Sequence, residues 1–338
     1  MYEAKLEDDI KKVRVYFEEV LSKRYKLLKS KKMQAILRIQ DFLFGAIRTF
    51  MDGAGFYQIL PPIIGPVTDP GIRGAKQVDF DFYGRRWKVM SSMILYKQLA
   101  LLALDKIYAF SPNIRLEPLE TVSTGRHLVE FQQVDIEARN WSMEMMMELA
   151  EDLIVYTIKA VMKSKKEDLE ILGRELKVPK RPFKRYTYDD IFEEAKEIGM
   201  PFKYGEEVPW DVEYELSKLH DDPFWIIDYP VGSRGFYYLE DYKRPGILKS
   251  MDLIYPEGYG EAISGGEREH RKEKIVDIIR KTGEDPKTYS WYFEMIENEE
   301  IKSAGFGIGF ERFTRYIVGE KHIAYCGPFT KLAGVFVP

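Results

Sequence analysis

The segment Ser303–Gly319 reads SAGFGIGFERFTRYIVG. Three glycines alternate with apolar residues, and the charged pair Glu311 and Arg312 follows at once. Alternate residues of a strand face the same side, so the glycines leave bare backbone on one face. The pattern therefore predicts a strand followed by a helix. Two interpretations are open: ordinary packing of a glycine-rich strand on a helix, or a trough in which a ring lies while an arginine binds phosphate.

Composition limits the class of protein. The chain has 338 residues, 45% hydrophobic and 31% charged, enough for one large globular domain or one and a half smaller ones. Its net charge of −4 argues weakly against a protein whose main ligand is a nucleic-acid backbone. A single cysteine, Cys326, and four dispersed histidines predict neither a disulfide nor a zinc cluster. No apolar run resembles a signal peptide or a membrane span, so we expect a cytoplasmic protein with no membrane partner.

The order of predicted elements indicates the fold class. Hydrophobic spacing predicts helices over residues 5–29 and about 33–53. The other predicted elements are a strand in FYQIL, a hairpin around Gly84, a helix over 91–104, two β arms over 107–117 and 127–139, a helix capped by Ser142, a charged connection over 163–186, one or two short helices in 187–220, strands in FWIIDYP, GFYYLE, SMDLIYP and YGEAISGGERE, and a helix over about 268–282. Strands group with strands and βαβ repeats are missing, which favours an α+β fold with an antiparallel sheet flanked by helices.

The two β arms carry an unusual set of side chains. In NIRLE, Arg115 and Glu117 share one face of a strand, and a plain ion pair would explain them alone. The returning arm adds four polar or aromatic side chains to one face: His127, Phe131, Gln133 and Asp135. Such a surface is costly as a core and typical of a binding site. A guanidinium binds phosphate through two donors, and an aromatic ring stacks on a purine.

A second polar segment is GEAISGGERE. Glu261 and Ser264 offer the hard oxygen ligands that Mg²⁺ prefers, and Asp252 lies upstream on the preceding predicted strand. Arg268 follows seven residues after Glu261. The alternative for this segment is a glycine bulge with charges on its surface.

Together the three segments resemble motifs 2 and 3 of class II aminoacyl-tRNA synthetases. Motif 2 of that family is Arg-x-Glu, a loop and a Phe, which stand here as Arg115-Leu-Glu117 and Phe131; motif 3 is Gly-x-Gly-x-Gly-x-Glu-Arg, here 305–312. FYQILPP after a long helix resembles motif 1, the dimer motif. TGRHLVEF, DYP, GGERE and SSMILYKQ narrow the resemblance to the aspartyl/asparaginyl subgroup. The resemblance implies a catalytic domain over 32–338 preceded by a helical extension over 1–31.

The resemblance implies a role for each of these residues. Arg115 would hold the α-phosphate of ATP and Arg312 the γ-phosphate, as the two catalytic cations. Adenine would be bound by Glu117, Phe131 and His127; magnesium by Glu261, Ser264 and, with a looser match, Asp252; and aspartate by Lys97, Gln133, Asp135 and Arg268.

The amino-acid pocket of the family distinguishes aspartate from asparagine. Members that bind aspartate carry a lysine in Gln-Leu-Phe/Tyr-Lys, and this chain has Ile94-Leu-Tyr-Lys97. Lys97 and Arg268 therefore imply a carboxylate ligand. The chain departs from the pattern at Ile94, and we expect no acid of the loop 66–76 to receive the α-amino group. Asp135 or another acid would take that role.

A missing domain suggests the function. Subgroup members that charge tRNA carry an N-terminal OB-fold barrel, which one helix before motif 1 cannot build. The chain most resembles asparagine synthetases related to asparaginyl-tRNA synthetase, implying that aspartate, ATP and ammonia yield asparagine, AMP and diphosphate through a β-aspartyl-adenylate, in a homodimer that binds no tRNA. Two alternatives stay open: a truncated enzyme that aminoacylates an RNA or a protein, and a non-catalytic binding or regulatory paralogue.

Overall fold

The computed structural model describes residues 2–69, 74–281 and 285–338. Within those ranges the helices are α1 (Tyr2–Ser22), α2 (Arg24–Leu28), α3 (Lys31–Gly53), α4 (Ile94–Ala100), α5 (Met143–Ser164), α6 (Lys166–Leu172), α7 (Tyr188–Glu197), α8 (Trp210–Ser217), α9 (Lys272–Lys281), α10 (Ser290–Asn298) and α11 (Phe310–Val318). The strands are β1 (Tyr57–Gln58), β2 (Ile64–Gly65), β3 (Asp79–Phe82), β4 (Arg85–Val89), β5 (Lys106–Ile114), β6 (Glu130–Arg139), β7 (Lys184–Thr187), β8 (Phe224–Ile227), β9 (Ser250–Tyr255), β10 (Gly260–Glu267) and β11 (Ser303–Gly309).

The main sheet has the strand order β1-β5-β6-β11-β10-β9-β8-β7. All pairs from β5 to β8 in this order are antiparallel, which confirms the predicted antiparallel sheet. The edge strands β1 and β7 instead pair in parallel with β5 and β8. A second sheet, in the order β2-β4-β3, contains the hairpin predicted around Gly84.

Several local predictions differ from the structure. GFYYLE forms no strand; its backbone makes only isolated bridges, Tyr238 with Arg268 and Glu240 with Leu248. The connection predicted over 163–186 contains α6 and the start of β7, and α10 was not predicted. The strand predicted in FYQIL is only two residues long, and the helix predicted over about 268–282 begins at Lys272. Aromatic composition favoured a strand in GFYYLE, but its tyrosine side chains are buried beside the polar cleft described below.

Strand alternation separates the core from a polar face. On β6, Val134, Ile136 and Ala138 belong to the main hydrophobic core, together with side chains of α3, α5 and α11. Residues of opposite parity, Gln133 and Asp135 among them, therefore face the other side of the sheet. On β11 the core residues are likewise Ala304, Phe306 and Ile308, which leaves the three glycines on the polar face. The glycine spacing thus serves both core packing and an open surface.

Gly305 lies where no side chain fits. A Cβ atom built there would collide with the carboxylate of Glu137 and the carbonyl of Ile136 on the neighbouring strand. Gly307 is less crowded, since a Cβ would lie 3.1 Å from Nε2 of Gln133. The two glycines therefore let β6 place polar side chains directly over the backbone of β11.

The N-terminal helices pack against the end of the chain. Phe17 and Leu21 of α1 belong to the main core, and the Phe17 ring lies 4.3 Å from the His322 ring. His322 Nε2 lies 3.1 Å from the carbonyl of Val122, in the 3₁₀ turn Leu119–Ser123 between β5 and β6. Arg24 of α2 donates to the carbonyls of Pro328 and Thr330. Among the described residues, no helix is both long and apolar enough to span a bilayer.

The start of α11 contains a half-buried acid. The carboxylate of Glu311 accepts hydrogen bonds from the backbone N–H of Gln132 at 3.0 and 3.2 Å, which ties α11 to β6. Burial raises the pKa of Glu311 to about 7, although these backbone donors oppose the shift. The folded protein therefore retains a proton on Glu311 at a pH where the unfolded chain has lost it.

We expect Glu311→Gln to flatten the dependence of stability on pH. Because the folded pKa of Glu311 is raised, its contribution is present at low pH and is lost as the pH rises toward and past 7. Between about pH 5 and 8 the unaltered protein should lose roughly 2–3 kcal/mol of unfolding free energy that the variant keeps. Urea denaturation at both pH values measures this, with the exposed Glu299→Gln as control. Equal pH dependence of stability in all three proteins would contradict the raised pKa of Glu311.

Candidate active site

A polar cleft lies over β5, β6, β10 and β11. Its cavity volume is about 430 Å³, within the range of small-molecule sites. Every predicted site residue except Asp252 lines it: Lys97, Arg115, Glu117, His127, Phe131, Gln133, Asp135, Glu261, Ser264, Arg268 and Arg312. Residues separated by up to 215 positions in sequence therefore meet in one site, as the motif spacing predicted.

One end of the cleft combines a cation with a ring. The guanidinium carbon of Arg115 lies 5.2 Å from the centre of the Phe131 ring, and its Nε donates to the Ser91 carbonyl at 3.1 Å. Nearby, His127 Nδ1 lies 2.6 Å from the hydroxyl of Thr124. These contacts fix an aromatic face beside a guanidinium, an arrangement suited to a purine and its first phosphate.

The other end holds Glu261 between two arginines. Glu261 Oε1 lies 3.3 Å from NH1 of Arg312, and Oε2 accepts from NH2 of Arg126 at 3.1 Å. Arg126 also donates to Glu213 of α8 at 2.5 Å, and its carbonyl accepts from Nε of Arg312 at 3.1 Å. Arg126 was not among the predicted site residues, although it stands beside His127 in the quoted TGRHLVEF. The site thus has a second cation, Arg312, whose Nε is held by the carbonyl of Arg126.

The predicted magnesium ligands are only partly brought together. Glu261 and Ser264 line the cleft, and their oxygens suit Mg²⁺ that keeps water and phosphate as its other ligands. Asp252, the third predicted ligand, does not line the cleft. Its carboxylate is fully buried, accepts from the Tyr229 hydroxyl at 2.9 Å and is bound by Arg234, which also donates to Ser264 at 3.1 Å. The described residues contain no group of three His, Cys, Asp or Glu side chains able to hold a metal.

Four buried charges form the cleft floor, here called the floor quartet: Lys97, Asp135, Glu137 and Arg268. Lys97 Nζ lies 3.0 Å from Asp135 and 3.5 Å from Glu137, and Arg268 donates twice to Glu137, at 2.8 and 2.9 Å. Burial pushes the pKa of Glu137 up, but Arg268 and Lys97 outweigh it and hold that pKa below its usual value. Glu137 was not predicted, although it continues the alternation of Gln133 and Asp135 by one step.

Arg268 keeps one donor for a ligand. Its NH1 is buried and has no hydrogen-bond partner among the described residues, while Nε and NH2 are both bound to Glu137. A buried N–H without an acceptor is costly, and Arg268 lines the cleft. A carboxylate bound there would supply the missing acceptor.

An acid of the loop 66–76 does reach the cleft, contrary to expectation. Asp69 lines it, is 4% exposed, and accepts from the Tyr237 hydroxyl at 3.0 Å. Burial and the Asp69 charge raise the pKa of Tyr237 well above its usual value, while Arg268 opposes this shift from nearby. The sequence contained this acid in PVTDPG, but its position in the site follows from hydrogen bonds made by Thr68, Gln77 and Ser91.

Comparison with known proteins agrees with this geometry. Residues 17–333 match the family model described as tRNA synthetases class II (D, K and N). The chain belongs to the class II tRNA synthetase family. The asparagine–tRNA ligase of Pyrococcus abyssi is 30% identical over 324 residues, 95% of this chain and 74% of that protein. The corresponding ligase of Sorangium cellulosum is 31% identical over 334 residues, 94% and 74% of the two chains.

Solved structures of class II synthetases also superpose well. Asparaginyl-tRNA synthetase from Pyrococcus horikoshii, complexed with asparaginyl-adenylate, has a TM-score of 0.88 at 27% identity and covers 94% of this chain and 73% of its own. Aspartyl-tRNA synthetase from Entamoeba histolytica has a TM-score of 0.79 at 25% identity, covering 94% and 62%. The class II catalytic fold is therefore confirmed.

Removing one charge of the floor quartet should be costly. Glu137→Gln keeps the shape of the side chain but leaves Arg268 and Lys97 with reduced compensation, so we expect a loss of about 3–5 kcal/mol of unfolding free energy. Urea denaturation measures it. The control is Glu193→Gln, which breaks the exposed pair with Lys196 and should cost less than about 1 kcal/mol. Similar losses in both variants would show that the quartet is not a critical buried unit.

Proposed function

We propose that the chain activates aspartate with ATP, forming an aspartyl-adenylate and diphosphate, and that ammonia then takes the acyl group to give asparagine and AMP. The membership of the class II family supports an ATP-dependent ligase. The choice of aspartate rests mainly on one observation, the buried Arg268 N–H that lacks an acceptor beside Lys97. A carboxylate offers that donor a charged oxygen and a strong bond. With the α-carboxylate on Arg268, the side-chain group is the one left to attack ATP, and aspartate has a second carboxylate there whereas asparagine has an amide.

The cleft residues supply binding and charge rather than acid–base catalysis. Phe131 offers a face for adenine, Arg115 lies where the α-phosphate would follow, and Arg312 provides a cation at the far end. Magnesium held by Glu261 and Ser264 would offset phosphate charge. Adenylate formation needs the carboxylate and the α-phosphate to be held in line, and such positioning accounts for much of the rate in phosphoryl and nucleotidyl transfer.

The pose of aspartate decides which carboxylate reacts. Asparagine synthesis requires the β-carboxylate at the α-phosphate, so the α-carboxylate would lie on Arg268. The α-ammonium group shares a carbon with that carboxylate and would need an acid close by. Asp69 fits this need, because the Tyr237 hydroxyl that it binds is also under the influence of Arg268. Asp69 thus replaces the expected Asp135, whose oxygens are already bound by Lys97 and Ser111.

A second candidate function is attachment of the amino acid to tRNA. The names of the relatives favour it, because those from P. abyssi and S. cellulosum are asparagine–tRNA ligases. Incubation with tRNA, ATP and radiolabelled aspartate or asparagine, followed by acid precipitation, separates the two. Labelled tRNA would favour the ligase; free asparagine and AMP that appear only with ammonium would favour the synthetase.

Arg115→Ala should abolish adenylate formation while the protein stays folded. The lost cation offsets charge on the α-phosphate, and loss of one such group costs on the order of 3 kcal/mol or more of transition-state stabilisation. Amino-acid-dependent ATP–diphosphate exchange measures the effect. The matched control is Arg185→Ala on the exposed part of β7, which should leave exchange unchanged. Near-normal exchange in Arg115→Ala would remove Arg115 from the proposed site.

The hydroxamate formed with hydroxylamine should be the β-hydroxamate of aspartate. Hydroxylamine attacks the activated carboxyl, so the product records which carboxylate was joined to AMP. The two hydroxamates have the same mass, so chromatography against both authentic compounds distinguishes them. The α-hydroxamate would show that the α-carboxylate is activated, as tRNA charging requires, and would contradict asparagine synthesis.

We also propose a twofold dimer through residues 33–62. Large apolar side chains of this segment are exposed, including Phe44, Tyr57 and Leu60, which is 93% exposed. Sedimentation should show a dimer at micromolar concentration, and Leu60→Arg should shift it toward monomer. The control Leu219→Arg alters another exposed leucine and should have no effect. A monomeric unaltered protein would contradict the proposed interface.

A further inference from the structure

A chain of polar side chains lies behind the cleft floor, on the paired strands β5 and β6. Ser111 pairs in register with Gln133, and Asn113 with Phe131. Ser111 and Asn113 are both buried, whereas Gln133 lines the cleft. The direction of each hydrogen bond among these side chains is fixed by a neighbouring group that can only accept or only donate.

A backbone carbonyl fixes the orientation of the Asn113 amide. One amide atom of Asn113 lies 3.1 Å from the carbonyl oxygen of Ser111, which can only accept. That atom must therefore be the donor Nδ2, since an oxygen placed there would face another oxygen.

The Asn113 amide in turn fixes Gln133. Asn113 Nδ2 lies 2.9 Å from the amide of Gln133, so the facing atom is the acceptor Oε1. The donor Nε2 of Gln133 then points away from Asn113. It lies above Gly307, where a Cβ atom would approach it to 3.1 Å. Gln133 thus presents an N–H donor, rather than an acceptor, over the glycine trough of β11.

The hydrogen bonds of Ser111 have the same direction. Its hydroxyl bonds to Oδ2 of Asp135, which as a carboxylate accepts, so Ser111 donates there. The other oxygen of Asp135 lies 3.0 Å from Lys97. The Ser111 oxygen is then left as an acceptor, and Asn113 Nδ2 lies 3.4 Å from it. The hydrogen bonds are therefore all donated outward from Asn113. One path leads through Ser111 to Asp135 of the floor quartet, and the other leads to Gln133 at the cleft.

Stability does not explain an asparagine at this position. Asn113 is 0% exposed, and its Oδ1 has no hydrogen-bond partner among the described residues. A buried carbonyl without a donor costs free energy that an apolar side chain of similar size would avoid. The amide therefore has another use, and its only bond to a cleft residue among those described is the one to Gln133.

We propose that Asn113 is a positioning residue that holds Gln133 with its N–H toward the cleft. There the N–H donates to one oxygen of the substrate carboxylate while the other oxygen attacks the α-phosphate of ATP and diphosphate leaves. This inference rests on the proposed amino-acid activation and names a determinant of it. A donor preset in this way needs no reorientation when the acyl-adenylate forms. If the Asn113 amide were lost, the Gln133 amide would turn freely. It would then spend part of its time with Oε1, rather than the N–H, facing the substrate carboxylate.

The test is a double-mutant cycle measured by amino-acid-dependent ATP–diphosphate exchange. Asn113→Leu removes the amide at similar volume, and Gln133→Ala removes the donor itself. We expect Gln133→Ala to lower kcat about 100-fold, as for loss of one oxyanion donor, and Asn113→Leu to lower it about tenfold, with the KM for ATP unchanged. In the Gln133→Ala background, Asn113→Leu should cost nothing more, because Asn113 acts through Gln133.

A purely structural role predicts a different result. Asn113→Leu would then lower activity by the same factor with and without Gln133, and this additivity would overturn the proposal. Asn113→Asp is the second variant, useful if the leucine variant fails to fold. It keeps the shape but cannot donate when ionised, so it should impair kcat in the Gln133 background and not in Gln133→Ala.

The cycle also separates this inference from the proposed function. Exchange by the unaltered protein is measured first with aspartate and with asparagine, and the cycle is run with the amino acid that supports it. Exchange with asparagine alone would overturn the choice of aspartate, while a non-additive cycle with that substrate would still support Asn113 as a positioning residue. Exchange with aspartate together with an additive cycle would support the choice of aspartate and overturn the role proposed for Asn113.

Discussion

The bidentate bond between Glu137 and Arg268 is the contact on which the rest of the site depends. It joins β6 to the end of β10, with Lys97 of α4 completing the charge balance. Two cations and two anions are buried there with almost no solvent, so each is tolerated only because the others are present. The elements that supply these charges, α4, β6 and the end of β10, must therefore keep their relative positions. The cleft above them is rigid for the same reason.

The glycines of β11 make this contact possible. The Glu137 carboxylate occupies space that any side chain at Gly305 would fill, and Gln133 lies in the same way over Gly307. Ordinary packing and an open trough are thus not exclusive explanations for the glycines of β11. Core packing of Ala304, Phe306 and Ile308 and the open polar face are two sides of one strand.

Strand alternation made most of the fold and the cleft accessible from sequence. Arg115, Phe131, Gln133 and Asp135 share a face because of the local backbone geometry, which sequence spacing reports directly. Contacts between distant segments were not accessible in this way. Asp252 resembles a ligand until Arg234, from a loop with no strand of its own, is seen to bind it. Asp69 resembles an ordinary turn residue until Tyr237 reaches it.

The packing of α1 has a mechanical consequence. Phe17 lies on His322, and His322 reaches the carbonyl of Val122 in the turn that links β5 to β6. That turn lies between Glu117 and His127, two residues that line the cleft. The first helix therefore supports the turn between β5 and β6, although the two are distant in sequence. A substitution that loosens the packing of Phe17 on His322 would therefore reach the cleft through this turn, without altering a side chain that lines the cleft.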